Sequence, residues 1–223
     1  MMIQTLELEL LNHLFYYSEV SGGNIAGTAT APFLGDLALT YALRAARHDA
    51  PEQSGFRDRP HYEEMRTWGY YCTVGQCVLP YARTGSYLQA TQFHHDGYYD
   101  AESLHQSAGH TFKNIRRVQG IQAGTRFRAL LMTARPLEVP PVIRVGTTRQ
   151  TLVKVGVHNR LPDTCTLNAF TARTVFQNLP PLLEVLQQEE KIHFQYVVEA
   201  YYLMQQVPVA AIKPVFEPLF SLA

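Results

Sequence analysis

The chain opens on a strict alternation of apolar and polar positions. Leu6, Leu8 and Leu10 fall on one side and Glu7 and Glu9 on the other, so Ile3 to Leu11 is predicted as a strand with its leucines inward. The period then changes. Leu34, Leu37, Ala38, Tyr41 and Ala45 recur at helical spacing between Pro32 and Arg47, and Pro32 suits a first turn. An amphipathic helix is expected there. Between strand and helix stands Gly22-Gly23-Asn24, a turn signal. Strand, glycine loop and helix make the opening half of a βαβ-type unit, although the loop matches neither GxGxxG nor the Walker pattern.

Asp49 to Tyr62 is polar and punctuated by Pro51, Gly55 and Pro60, which predicts a loop. Thr67 to Leu79 carries Trp68, Tyr70, Tyr71, Val74 and Val78, a strand pattern that Pro80 stops. Tyr81 to His110 shows no clear period, and such a length inside a compact domain marks a functional loop or an arm. Three runs bounded by Gly and Pro then predict strands: Arg126 to Thr133, Val142 to Val145 and Thr151 to Val157. Farther on, the pattern predicts a short strand or extended segment over Asn168 to Asn178 and a chain break at Pro180-Pro181. A short helix over Leu182 to Lys191 and a late strand over His193 to Val207 follow. Pro208, Pro214 and Pro218 predict an extended, packed tail. No internal repeat is present.

Charge adds what periodicity does not show. Thr111 to Arg160 holds ten of the 19 Lys and Arg residues against Glu138 alone, so this stretch is nine charges positive. Because the chain is formally neutral, the remainder is nine charges negative. Cations interleaved with strand residues suit a phosphate backbone. The alternative is a solvated sheet face, which ordinarily mixes both signs.

Length and composition bound the rest. A chain of 223 residues, 46% hydrophobic, is expected to form one large domain with a sizeable core, over residues 1–223. No apolar run approaches 18 residues, and Met1 to Glu7 lacks the basic n-region of a signal peptide, so a cytoplasmic protein without membrane contact is expected. Three cysteines with no close pair argue against a disulfide framework. Cys72 and Cys77, five apart, are expected on opposite faces of one strand, as core thiols.

Candidate chemistry is sparse. His94, His95, His105 and His110 lack the spacing that fixes metal ligands on one face, and no metal or cofactor is expected. A histidine serving as general base on an RNA 2′-hydroxyl, with Lys or Arg stabilising the developing charge, needs no fixed spacing and stays open. No GxSxG motif occurs, and no cysteine opens a helix. Of the tyrosine doublets, Tyr98-Tyr99 in the irregular segment is the one suited to stacking on unpaired bases.

Four blocks resemble a known family. They are Leu10-Leu11-Asn12-His13-Leu14-Phe15-Tyr16-Tyr17-Ser18-Glu19 and Pro32 to Leu43, Asn114 to Gly120 leading to Gly124-Thr125-Arg126-Phe127, and Pro141-Val142-Ile143-Arg144-Val145-Gly146. In order and spacing they resemble the Cas-five subunit (Csc-one) of type I-D CRISPR effector complexes, over most of the first 157 residues. The chain departs from the family pattern at Ser18-Glu19 and at Gly146-Thr147, where basic residues are expected.

The resemblance implies an α+β fold: a ferredoxin-like (RRM-like) core of the RAMP superfamily, with an antiparallel sheet and an extended arm around 81–110. Residues 161–223 form a loosely matched C-terminal extension. It also implies a non-catalytic subunit that holds the 5′ handle of a guide RNA at one end of the complex and caps its backbone. The backbone subunit and the large subunit would be its protein partners, with target DNA as a further one. Relatives in another subtype cleave RNA, so a guide-processing endoribonuclease is the alternative. The residues expected to meet RNA are Lys113, Arg116, Arg117, Arg126, Arg144, Arg149 and Lys154, with Tyr98 and Tyr99. Among them Lys113, Arg116 and Arg117 are expected as loop cations on the handle, and Arg144 as one positioned by the sheet. Strand alternation cannot put all seven cations on one face: Arg126 and Arg128 are expected to share a face, while Arg144 stands alone on its strand.

Overall fold

The alternating leucines of the first strand set the architecture. In a computed structural model that describes residues 1–15, 19–21, 27–47, 62–78, 80–90, 115–146, 151–186, 193–198 and 201–220, β1 (Met2–Leu10) buries Leu6, Leu8 and Leu10 and exposes Glu7. A hairpin follows, β2 (Glu19–Ser21) and β3 (Gly27–Ala29), then β4 (Phe33–Leu34) and helix α1 (Asp36–Ala46). A 3-10 turn (Tyr62–Thr67) leads into β5 (Tyr70–Cys72), β6 (Gly75–Val78), β7 (Tyr87–Ala90) and β8 (Ile115–Gln119). The basic stretch then supplies β9 (Arg126–Thr133), β10 (Val142–Val145) and β11 (Thr151–His158).

Seven of these strands form the main sheet, in the order β10-β11-β1-β9-β6-β4, with β5 also on β9, and every pair is antiparallel. Counting β1, the β5/β6 segment, β9 and β11 as first to fourth, their order in space is fourth, first, third, second. That is the ferredoxin-like order, with α1 linking the first two in a split βαβ unit. Among the described residues no second helix lies between β9 and β11. Between β9 and β11 the chain runs through Pro136, Pro140 and Pro141, which remove helix donors, and returns as edge strand β10.

One face of the sheet is covered by α1. Leu6, Leu8, Leu10, Phe127, Leu131, Ile143 and Val153 pack there against Leu39 and Leu43. The other face is half covered, by a C-terminal unit of β12 (Thr164–Asn168), α2 (Ala169–Thr174), α3 (Leu179–Leu186), β13 (His193–Val198), β14 (Tyr201–Pro208) and α4 (Val209–Phe220). Its strands make a three-stranded sheet, β12-β14-β13. Leu130, Met132 and Tyr71 of the main sheet share one core with Leu167, Phe176, Leu182, Met204, Ile212 and Phe216 of this unit. A third, four-stranded sheet, β2-β3-β8-β7, extends beyond the main one, with β3 and β8 parallel.

Several expectations are corrected, each for a local reason. The helix begins at Asp36 rather than near Pro32, because Phe33 and Leu34 pair with Gln76 and Gly75 as β4. Thr67 to Leu79 is not one strand. It breaks at Thr73 and Val74, where the Thr73 hydroxyl accepts the Leu130 N–H and Val74 bridges to Thr166 of β12. The break resets the alternation, so Cys72 and Cys77 pack against the same cluster instead of opposite faces. The segment from Asn168 holds helix α2, which Asn168 caps by accepting the Phe170 N–H. Pro180-Pro181 does not break the chain but sits in the first turn of α3, where a missing N–H costs nothing. The late strand is a hairpin, β13 and β14. The tail is a helix, because Val209, Ile212, Phe216 and Phe220 bury at helical spacing while Pro214 and Pro218 face outward. The segment read as irregular contains β7, and its residues 91–110 lie outside the described ones.

Candidate nucleic-acid interface

The uncovered half of the second sheet face collects the charges. Residues directly opposite each other on neighbouring strands point the same way, and the register puts Lys154 of β11 opposite Glu9 of β1, and Glu9 opposite Arg126 of β9. Two positions along, Gly156, Glu7, Arg128 and Gln76 form the next row. Arg144 of β10 lies opposite Leu152, on the same side as Lys154. Arg126 and Arg128 therefore share a face, as alternation along one strand requires, and Arg144 and Lys154 join them from neighbouring strands. Register between strands decides this, and a single sequence does not show it.

The face is not purely basic. Arg126 Nε lies 3.6 Å from Glu9 Oε2, Arg128 Nη2 lies 3.9 Å from Glu7 Oε1, and His158 Nε2 lies 3.4 Å from Glu7 Oε2. The four cations against two carboxylates leave two net positive charges, and a third when His158 is protonated. Exposed pairs of this kind contribute about 0–1 kcal/mol to folding, and the Arg126 side chain is 71% exposed. These cations thus serve stability little and can exchange carboxylate for phosphate at small cost. Between them runs a shallow trough of about 420 Å³, lined by Glu7, Glu9, Arg126, Arg128, Lys154 and His158, with Gly156 and Val78 in its floor and rim.

Other cations are spent on the fold. Arg44 lies over the Trp68 ring at 4.1 Å, Arg47 donates to the Glu138 carbonyl, and Arg66 donates to the Val175 and Thr174 carbonyls. Arg116 and Arg117 are not loop cations as expected: they lie within β8, whose backbone pairs with Gln89 and Leu88 of β7. Lys113, Arg149, Tyr98 and Tyr99, with His94, His95, His105 and His110, lie outside the described residues. Sequence reasoning missed Glu7, Glu9 and His158. The two glutamates were legible as outward positions of β1, but not as neighbours of the cations. Among the described residues no group of three metal-ligating side chains occurs, and no helix is long and apolar enough to cross a membrane.

Comparison with known proteins places the chain. A family model described as Type I-D CRISPR-associated protein Cas5/Csc1 matches residues 1–218. The chain belongs to that family. It is thus a CRISPR effector subunit of the Cas5/Csc1 kind. No curated protein matches it. Among solved structures, a chain of the cryo-EM structure of the Type III-B Cmr-beta bound to cognate target RNA and AMPPnP is similar at 8% identity and a TM-score of 0.36. That match covers 92% of this chain and 84% of the other, and it is too distant to bear on function.

The motif glycines of this Cas5/Csc1 chain have physical reasons. At Gly120 a Cβ would lie 2.5 Å from the Leu14 carbonyl oxygen and from the Phe15 ring, so only glycine lets the end of β8 pass the Leu14–Phe15 segment that follows β1. Gly146 closes β10 at φ +84°, in the left-handed region.

Proposed function

We propose that this Cas5/Csc1 subunit holds a single-stranded guide RNA across the open half of its main sheet. The shared face of Arg126, Arg128, Arg144 and Lys154 is the observation that carries the reading. The subunit is non-catalytic in this reading, grips the 5′ handle, and leaves its other surfaces to the backbone and large subunits. Arg116, Arg117, Lys113 and Arg149 add phosphate contacts beyond the face, and Tyr98-Tyr99 stacks on bases. The test is the salt dependence of RNA binding. Each neutralised phosphate of a single strand contributes about 0.7 to the slope of log affinity against log salt, so Arg126→Ala with Lys154→Ala is expected to flatten it by about 1.4. Thermal stability should stay unchanged. Wild-type slope and affinity in the double variant would overturn the reading.

His158 favours a second reading. His158 lies 3.4 Å from Glu7, with Arg128 beside the same carboxylate, so a candidate general base and a cation that could stabilise developing charge stand together. An endoribonuclease would cut repeat RNA at one site in EDTA, and His158→Ala would abolish cutting. Intact RNA after prolonged incubation with the wild type removes this alternative.

A further inference from the structure

Where the main sheet meets the C-terminal sheet lies a smaller pocket of about 240 Å³. Its walls are apolar, with Pro32, Phe33, Val74, Tyr81 and Leu203 among them, and its polar groups are chiefly amides: Gln76, Gln195 and Gln205. Drug-sized sites run to roughly 300–1,000 Å³, so this one suits a single ring system. The amides are held in place. Gln205 Nε2 donates to Gln195 Oε1 at 2.6 Å, and the Thr166 hydroxyl donates to Gln76 Oε1 at 3.3 Å.

A carboxamide has two donors and two acceptor lone pairs. Two glutamines joined by one hydrogen bond therefore still present a donor and an acceptor side by side, whichever way the amides are oriented. Such a paired edge complements the hydrogen-bonding edge of an unpaired nucleobase.

Position supplies the second half of the case. Gln76 pairs with Arg128 across β6 and β9. Both residues line a cleft of about 300 Å³ that shares Arg128 and Val78 with the cationic trough and Gln76 and Cys77 with the amide pocket. Trough, cleft and pocket are thus neighbours in series, each sharing two lining residues with the next, and the cleft between them also carries Asp163. We propose that this pocket takes one unpaired nucleobase of the bound single strand, read by Gln195 and Gln205 through its hydrogen-bonding edge. The proposal rests on the RNA reading above and adds a base-specific subsite to it.

The experiment uses the full chain and a synthetic guide-RNA handle in which each position is replaced in turn by an abasic nucleotide. One position is expected to cost the wild type roughly five- to a hundredfold in affinity, the value of a good bidentate base contact. Gln195→Leu with Gln205→Leu is expected to bind intact RNA more weakly by the same factor. That variant should show no further loss at that abasic position, and it should keep the wild-type salt slope. If every abasic RNA binds as the intact one while the salt slope stays steep, the base pocket is overturned and the RNA reading stands. If the wild type shows no salt-dependent RNA binding, the reading beneath fails and the pocket with it. A glutamine variant that binds every RNA normally but no longer joins its protein partners assigns the pocket to a partner's side chain, which also overturns the proposal.

Discussion

Asp36 joins two parts of the molecule through one carboxylate. It is fully buried at the start of α1 and accepts from the Tyr71 hydroxyl at 2.7 Å, the Thr171 hydroxyl at 2.5 Å and the Asn168 amide at 2.9 Å. Asn168 cannot turn its amide round, because its oxygen already accepts the Phe170 and Tyr202 N–H groups. Asp36→Ala leaves three buried donors without an acceptor, at about 1–3 kcal/mol each before relaxation. A loss of at least about 3 kcal/mol in denaturant unfolding is expected. Burial pushes the Asp36 carboxyl above its ordinary 3.8, and the hydroxyl and amide donors oppose this. Its contribution to stability is therefore fully present below 3.8 and is lost as pH rises through the raised value. The stability gap between wild type and Asp36→Asn should narrow as pH increases, and a constant gap would show that Asp36 does not titrate there. Glu9 poses the opposite question. Glu9 pairs with Arg126, so under the RNA reading it competes with phosphate there, and Glu9→Gln is expected to strengthen RNA binding two- to fivefold, roughly the value of an exposed pair. None of this was legible in advance: Asp36 looked like an ordinary residue of the first helical turn, and its partners lie 35 to 135 positions away.

At the scale of elements, the sequence was most legible where one period ran unbroken. β1, β9, β10 and β11 stand where alternation and flanking Gly and Pro put them, within a residue or so. It was least legible where proline competed with burial. Helix α4 holds two prolines and still forms, because four apolar side chains on one stripe bury into the shared core and tertiary packing outweighs the lost backbone bonds. The break between β5 and β6 was equally hidden, since it serves a contact with Thr166 far along the chain. That break makes a prediction about thiols. Cys72, just before it, and Cys165 are buried, and burial pushes both up to about 12, whereas Cys77 is only half-buried. The native protein is expected to react with one equivalent of a thiol reagent such as DTNB, at Cys77, and with three after denaturation. Rapid labelling of two or more thiols in the native state would show the β5–β12 junction opening.

At the scale of the whole molecule, the charge asymmetry was visible in the sequence, but its arrangement was not. Four cations of the basic stretch, Arg126, Arg128, Arg144 and Lys154, come from three strands that only the sheet brings together, and they meet two acids from the far end of the chain. The C-terminal unit shares a core with the main sheet through Leu130, Met132 and Tyr71, so heat is expected to unfold both in a single transition that coincides by near- and far-ultraviolet circular dichroism. Two resolved transitions would divide the chain into independent units. The central place of β1 carries a cost in time. Its nearest ladder partner in sequence is Arg126, opposite Glu9 and 117 positions on, and its other flank waits for β11. Closing so large a loop comes before any reward from pairing, which slows folding. A nascent chain therefore holds its alternating leucine strand unpaired until about three fifths of the sequence has been made, and in that interval its free backbone groups are a template for pairing with a neighbouring chain.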